Sequence, residues 1–442
     1  MLAVSTFQAR RLAFAKHMQN NSVAIFAAHK ELTRSRDTEY LFRQDSDFHY
    51  LTNFPEPDAY CVITKSSAGD VVSHLFCREK DELAEIWHGR RIGAEKAKDD
   101  YLFDQTSTIE NLDAKLIDLI KDRVACYWPL GELSYADELI QACINKVRSQ
   151  HKLMTAPKQL LDSREVLHEM RLIKSAEEIE VMSKAGVISA NAHKRAMQFS
   201  QAGKFEYQLE AEILHEFAMN GARFAAYNSI VASGDNANIL HYTENSDELV
   251  DGDLILIDAG CELAGYAADI TRTFPVNGQF SSQQRAIYQL VLDAQLASFE
   301  LIKPGNTLKQ ATDKAIEVIS QGLVDLGILS GSLDEVIEQR AYRDYFMHGL
   351  SHWLGLDVHD VGAYKVANEQ GEMQERPLLP GMVITVEPGI YIPKGCQAPE
   401  QYHGIGVRIE DNLVITETGY QNLTEAAPKT IDDIEALMRN AD

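Results

Sequence analysis

Two different periods of apolar and polar positions run along this chain, and the change from one to the other divides it. Up to about residue 160, short apolar runs at Val23 to Ala28, Ala59 to Thr64 and Val72 to Cys77 read as strands. Helical patterns surround them: an amphipathic opening segment, then Thr108 to Lys121 and Tyr135 to Val147. Strands interleaved with helices of this length predict an α/β domain, a sheet covered by helices. A boundary is expected near Thr155 to Pro157, which places the two domains at 1–165 and 166–442.

Beyond the boundary the pattern is helical for long stretches. Ser175 and Glu178 fit a capping box, and Ile179, Met182, Ala185, Gly186 and Ala190 then share one helical face. Further helices are predicted at Glu206 to Asn220, Ser282 to Ile302 and Leu308 to Leu326, the last two separated by Pro304-Gly305. Between them the apolar run Leu254 to Ile257 ends on Asp258, Gly260 follows, and Asp269 sits in a second strand-like segment. Asp251 to Phe274 therefore predicts a hairpin with an acid on each strand. Its first ten residues, DGDLILIDAG, align without a gap to PGMVITVEPG at Pro380 to Gly389, which sets Glu387 opposite Asp258. If Asp269 is set against Glu410, both reach a glycine nine residues later, since 278 − 269 = 419 − 410 = 9. Helices, hairpin, helices, hairpin is the order of an internally duplicated α+β domain, and it brings four carboxylates to one place.

Composition changes this picture little. With 442 residues the chain has room for two or three domains with cores of their own, and 45% hydrophobic with 24% charged residues is ordinary for a soluble globular protein. A net charge of −24 argues against a nucleic-acid partner, because phosphate binding needs a basic surface; solubility accounts for the acidity more simply than an acidic recognition face. No apolar run approaches the roughly 20 residues that span a bilayer, so no membrane partner is expected. The start, MLAVSTFQARRLAFAKHMQ, is basic enough to suggest a targeting segment. It lacks the apolar core of a secretory signal and reads better as a first helix docking on its domain. Six scattered cysteines without a CxxC pair suit reduced, buried thiols in a cytoplasmic protein.

An acid placed just after a buried apolar run is costly unless something cationic meets it. Four such acids point to metal. Histidines add to the set: His348, His352 and His359 fall within FMHGLSHWLGLDVHD, and His241 lies in SGDNANILHYTEN. Any one of fourteen histidines is more simply a core or surface residue, yet three so close among glycines and apolar residues carry a functional reading beside the structural one. Four carboxylates and an imidazole form a hard, oxygen-rich set suited to Mn²⁺, with Co²⁺, Fe²⁺ or Zn²⁺ as substitutes. In the first domain, the stretch Arg36 to Asp58 and the segment EIWHGRR around Trp87 read equally as solvated surface or as the wall of a binding site.

These motifs resemble a known family. Asp258, Asp269, His352, Glu387 and Glu410, in the contexts IDAG, ADITRTF, HGLSHWLGLDVHD, TVEPG and GVRIED, resemble the five metal ligands of the pita-bread metallopeptidases. The segments EYLFRQDSDFHYLTNF, EIWHGRR and EMRLIKSAEEI extend the resemblance over nearly the whole chain, toward the aminopeptidase P branch and away from methionine aminopeptidase. The resemblance implies a pita-bread catalytic domain holding two divalent ions that share a hydroxide. Asp269 and Glu410 would bridge them, with Asp258 on one and His352 with Glu387 on the other. It also implies that Glu387 shuttles a proton, that His359 and His241 hydrogen-bond the scissile carbonyl or tetrahedral intermediate, and that His348 contacts substrate beyond the cleaved bond. Arg408 would orient a carboxylate or serve as a structural ion pair.

The implied activity is release of the N-terminal residue from peptides whose second residue is proline. A prolyl amide has no N–H and a fixed φ, so the ring must be recognised by shape. Tyr227, Tyr391 and Trp87 are candidates for that pocket and fit equally as core or wall residues. Prolidase, restricted to Xaa-Pro dipeptides, shares the five ligands and stays open as the alternative, with organophosphate ester hydrolysis as a side activity that such a site allows. A non-catalytic pita-bread binding protein would be expected to lack some ligands, and here all five are present. A homotetramer or homodimer is implied, one subunit's N-terminal domain walling another's site.

Overall fold

The computed structural model describes residues 2–439, so positions 1 and 440–442 of the two predicted domains lie outside the described residues. The chain forms two compact units, Met1–Arg171 and Leu172–Asp442.

In the first unit the strand Ser22–Ala27 is buried along its whole length because it pairs on both sides, antiparallel with Tyr60–Lys65 and parallel with Ala125–Tyr127. Val71–Cys77 and Gln105–Thr108 extend the sheet one way and Gln159–Leu161 the other. Helices Leu112–Ile120 and Ser134–Ser149 pack on it through Leu116, Ile140 and Ile144 against Val23 and Ile25, the expected α/β layering. The opening helix Val4–His17 docks through its basic side: Arg11, 1% exposed, donates to the carbonyls of Leu51, Tyr101 and Leu102 at 3.0, 3.1 and 2.6 Å and lies over the Phe103 ring. The unit ends six residues later than the sequence boundary (171 − 165 = 6), because the helix Arg164–Leu172 is tied into it. Arg171 and His168 both reach Asp47, at 2.6 and 3.2 Å, and the Tyr50 hydroxyl donates to the Met170 carbonyl.

The second unit is built twice from one plan. One sheet pairs Leu254–Asp258 with Thr271–Pro275 and Ile230–Ser233; the other pairs Val383–Val386 with Asp411–Ile415, which pairs in turn with Tyr420–Asn422. Between the two long strands of each sheet lies a short nested hairpin, Cys261–Leu263 with Tyr266–Ala267 in the first and Gly389–Ile392 with Ile405–Arg408 in the second. Asp269 is not within a strand, contrary to the expectation. It lies two residues before Thr271–Pro275, as Glu410 lies one before Asp411–Ile415. The chain makes a tight crossing there: a Cβ on Gly260 would sit 1.8 Å from the Ala268 carbonyl oxygen, which is why a glycine occupies that position. The acids are 11 residues apart in one copy (269 − 258) and 23 in the other (410 − 387), because the second nested hairpin carries a longer loop with the 3₁₀ turn Glu400–Tyr402.

The helices repeat as well. Ala176–Phe199 packs on Glu206–Met219, and Ser282–Phe299 on Leu308–Asp325. Capping boxes open the first helix of each pair, Ser175 with Glu178 and Ser281 with Gln284. Just before the second helix of each pair the chain makes a lone bridge, Phe205 with Glu248 and Thr307 with Pro377. A single apolar cluster runs from Ile213 through Ile255 and Phe274 to Ile390 and Val407 and joins the two copies behind the acids.

Candidate metal centre

Strand geometry delivers the acids to one spot. Asp258 is the last residue of its strand and Glu387 the first beyond its own, each following fully or nearly fully buried apolar neighbours, Ile257 and Val386. Their side chains, with Asp269, His352 and Glu410, line a cavity of about 550 Å³. One ligand atom each of Asp269, His352 and Glu410 lies within 4.8 Å of the others.

Hydrogen bonds fix most of the carboxylate oxygens. The Tyr227 hydroxyl lies 2.6 Å from Asp258 Oδ1 and 2.5 Å from Asp269 Oδ1. Arg408 donates through Nη2 to Asp258 Oδ2 at 2.7 Å, through Nη1 to the Tyr391 hydroxyl at 2.9 Å and through Nε to Thr271 Oγ1 at 3.2 Å. Thr271 in turn donates to Glu410 Oε2 at 2.7 Å, whereas Glu410 Oε1 is buried without a partner. His352 Nε2 lies 3.4 Å from both Asp269 Oδ2 and Glu387 Oε1, and its Nδ1 is held at 3.0 Å from the Trp353 carbonyl, which fixes the ring. The His359 ring packs against His352 with centroids 4.2 Å apart and planes tilted by 57°, on a loop anchored by the buried pair Lys174 and Asp360 at 2.9 Å.

Too little positive charge faces these acids, and their protonation reflects it. Burial pushes the Glu387 carboxyl up to about 8 against the pull of His352. Burial, then Asp269, Glu387 and Asp258, drive Glu410 well above the ordinary range, and burial raises Asp258 although Arg408 opposes it. Asp269 alone is lowered, because the hydrogen bond and charge of His352 outweigh its burial. The same contact lifts His352 to about 9 against burial, while burial and Arg408 drop His348 to about 4.

His241, His348 and His359 all stand on the cavity wall, as does Tyr227. Tyr391 does not line it. That ring is fully buried and its hydroxyl bonds His348 Nε2 at 2.8 Å and Arg408, so it supports two wall residues from behind, where the sequence leads us to expect a pocket aromatic. Trp87 is 82% exposed on the helix Glu82–His88 of the first unit, which buries none of its residues. Several supports escape a sequence reading. Thr271 and Thr385 hydrogen-bond Glu410 and Glu387, and Asn412 holds the Asp269 backbone through both its amide and carbonyl, at 2.9 and 2.6 Å. The available signal is the run of polar residues in an otherwise strand-like ITRTF, where Thr271, Arg272 and Thr273 are all 0% exposed.

The chain can now be set beside known proteins. The sequence pattern of metallopeptidase family M24 matches residues 180–417, and that of the aminopeptidase P N-terminal domain matches residues 7–127. Xaa-Pro aminopeptidase of Escherichia coli (strain K12) is 51% identical over 433 residues, covering 98% of this chain and 97% of that one; the Haemophilus influenzae protein of the same name is 50% identical, covering 98% and 96%. A solved structure of E. coli aminopeptidase P with the inhibitor Pro-Leu superposes with a TM-score of 0.96 at 49% identity, covering 100% of this chain and 99% of that one. The zinc-substituted E. coli enzyme in complex with product superposes equally, with a TM-score of 0.96 at 49% identity and the same coverage. With the duplicated hairpins, the five converging ligand-type side chains and these likenesses together, the chain belongs to metallopeptidase family M24 and carries an aminopeptidase P N-terminal domain ahead of its pita-bread domain.

Proposed function

We propose that the protein is a metal-dependent aminopeptidase that hydrolyses the N-terminal Xaa-Pro bond of peptides. The observation that carries the proposal is the convergence of Asp258, Asp269, His352, Glu387 and Glu410 on one cavity, with Glu410 Oε1 buried and unpartnered. Four acids facing one guanidinium and one imidazole fit two divalent cations. In this reading Asp258, Asp269, His352, Glu387 and Glu410 would hold the ions, with Asp269 and Glu410 shared between them, Asp258 serving one and His352 with Glu387 the other. When bound, such ions supply Lewis acidity and lower the pKa of water to about 7. The oxygen-rich donors favour Mn²⁺, with Co²⁺, Fe²⁺ or Zn²⁺ able to substitute.

The chain's own groups do the remaining work. Glu387 takes the proton of the attacking water and returns it to the departing prolyl nitrogen. His241 and His359 donate hydrogen bonds to the scissile carbonyl oxygen as charge develops on it. His348, fixed by the Tyr391 hydroxyl and the Gly349 carbonyl, contacts substrate beyond the cleaved bond. Arg408 orients Asp258, and Ile230, Leu240 and the Tyr227 ring offer an apolar surface to the proline ring. We further propose that the protein works in the cytoplasm as a homodimer or homotetramer; its buried free thiols at Cys61, Cys77, Cys126, Cys143 and Cys261 suit a reducing compartment.

Charge on the wall separates this reading from prolidase. A dipeptide places its C-terminal carboxylate beside the cleaved bond, where it needs a cation. Arg408 is the one lysine or arginine among the described lining residues, and Asp258, Tyr391 and Thr271 already occupy it. A carboxylate left without a partner costs about 1–3 kcal/mol, so kcat/KM for Xaa-Pro-Yaa is expected to exceed that for Xaa-Pro by about 10- to 100-fold. A short peptide panel with added Mn²⁺ measures it, and strong activity confined to the dipeptide would reverse the assignment. Metal should also stabilise the fold by relieving the crowded acids. At a free concentration one hundred times Kd the gain is about 2.7 kcal/mol, seen as a rise of several degrees in Tm on adding Mn²⁺ to EDTA-stripped protein; an unchanged Tm would contradict the two-cation account.

A further inference from the structure

The loop that carries His241 is built around one buried carboxylate. Glu206, first residue of the helix Glu206–Met219, is 0% exposed, and its five hydrogen-bond donors are all uncharged. Its Oε1 accepts from the Ser233 amide at 2.7 Å, the Ser233 hydroxyl at 2.8 Å and the Asn236 side chain at 3.1 Å. Its Oε2 accepts from the Tyr242 hydroxyl at 2.8 Å and the Asp247 amide at 2.9 Å. One oxygen thus holds the start of the loop and the other its return, with His241 directly before Tyr242. Ser233 also ends the strand that pairs with Leu254–Asp258, so the hub links the loop to the strand bearing Asp258.

The duplication supplies an internal control. Gly203 and Gly305 donate their amides to the carbonyls of Leu249 and Leu378, at 2.9 and 3.0 Å, and the amides of Leu249 and Leu378 donate to the carbonyls of Lys204 and Asn306, both at 2.7 Å. The same helix start is therefore built twice. Three residues past each glycine, the first copy has Glu206 and the second has Leu308, which packs on an apolar cluster. An apolar residue suffices to open that helix, and a buried carboxylate is costly. The second copy's histidine-bearing loop, with His359, is anchored by Asp360 on Lys174 at 2.9 Å, so only the first copy's loop is held by the residue that opens the helix.

We infer that Glu206 is a positioning residue for His241, acting by clamping both ends of the loop 233–247. The inference rests on the reading of His241 as a hydrogen-bond donor to the scissile carbonyl. Glutamine in place of Glu206 keeps the shape but offers one acceptor oxygen and an NH₂, so it can serve one end of the loop and must repel the donors of the other.

The test is steady-state kinetics of Mn²⁺-loaded Glu206→Gln, His241→Ala and the double variant on an Xaa-Pro-Yaa peptide, at a temperature where circular dichroism shows each one folded. A misplacement of about 1 Å costs up to ~100-fold, so Glu206→Gln is expected to lose about 10- to 100-fold in kcat with KM changed far less. The double variant should be no slower than His241→Ala alone within about twofold. Additive losses would mean that Glu206 acts independently of His241 and would overturn the proposal. If His241→Ala turns over at the wild-type rate, the reading of His241 itself fails; if it is impaired while Glu206→Gln is not, only the clamp fails. Tyr242→Phe, which deletes a single donor, covers the case in which Glu206→Gln does not fold: a smaller kcat loss, again absent on the His241→Ala background, supports the clamp, and wild-type kcat rejects it.

Discussion

Glu410→Ala is expected to abolish turnover. The side chain is 1% exposed, one oxygen held by Thr271 at 2.7 Å and the other without a partner, and in the proposed centre it binds both cations. Its removal takes a ligand from each ion. Without the pair, water at its ordinary pKa of about 15.7 replaces water near 7, and kcat should fall by at least about 10⁴-fold. Asp258→Ala should fail in the same way, and in both variants the metal content by mass spectrometry should drop below two ions per chain. His348→Ala is expected to behave differently. Its ring contacts Tyr391 and Gly349 and lies 4.0 Å from Glu387, outside the ligand set, so a loss of about 10- to 100-fold is anticipated. Complete loss in all three would overturn the ranking of roles, and a Glu410→Ala protein that keeps two ions and near-normal turnover would sink the ligand assignment.

The contrast between these residues parallels what a sequence can and cannot disclose. Asp258 and Glu387 are legible because each closes an apolar strand run, and because the glycines repeat with them. Gly389 repeats Gly260 for a similar reason, since a Cβ there would lie 2.6 Å from the Tyr391 hydroxyl. The match fades after ten residues because the second nested hairpin is longer, which moves the next acid without moving its place in space. Asp269 reads as a strand residue because Ala268 and Ile270 flank it with buried apolar side chains, although it lies between strands. Tyr391 reads as a pocket aromatic and is a buried strut, because nothing in the local pattern reveals that its hydroxyl meets Arg408 and His348. Glu206 looks like an ordinary acid in the first turn of a helix; its partners are 27 to 41 residues away. Periodicity reports which side of an element is buried, and the donor that meets an acceptor there is set only by tertiary closure.

Arg272→Lys is expected to destabilise the second unit by about 2–6 kcal/mol, about 1–3 for each of two buried acceptors left unpaired, despite keeping the charge. Arg272 is 0% exposed and joins the two hairpin copies directly behind the acids. Its Nη1 donates to the carbonyls of Thr271 and Glu410 at 2.9 and 2.6 Å, its Nη2 to Asp411 Oδ1 and the Ala427 carbonyl at 2.8 and 3.0 Å, and its Nε to the Pro428 carbonyl at 3.1 Å. Burial would raise Asp411, yet Arg272 and Lys429 hold it below the ordinary range. Lysine brings three donors from a point charge where the site needs a planar fork of five, so at least two of the five buried acceptors lose this donor. Lys429, 2.6 Å from Asp411 Oδ2, already supplies a second ammonium, so charge alone does not explain the arginine. Because Glu410 hangs from the same fork through its carbonyl, activity should fall in protein that is still folded, ahead of the main unfolding transition in urea. The measurement is the urea midpoint of the second unit together with kcat at low urea. An unfolding free energy within about 0.5 kcal/mol of wild type would show that the positive charge, and not the fork, ties the two copies together.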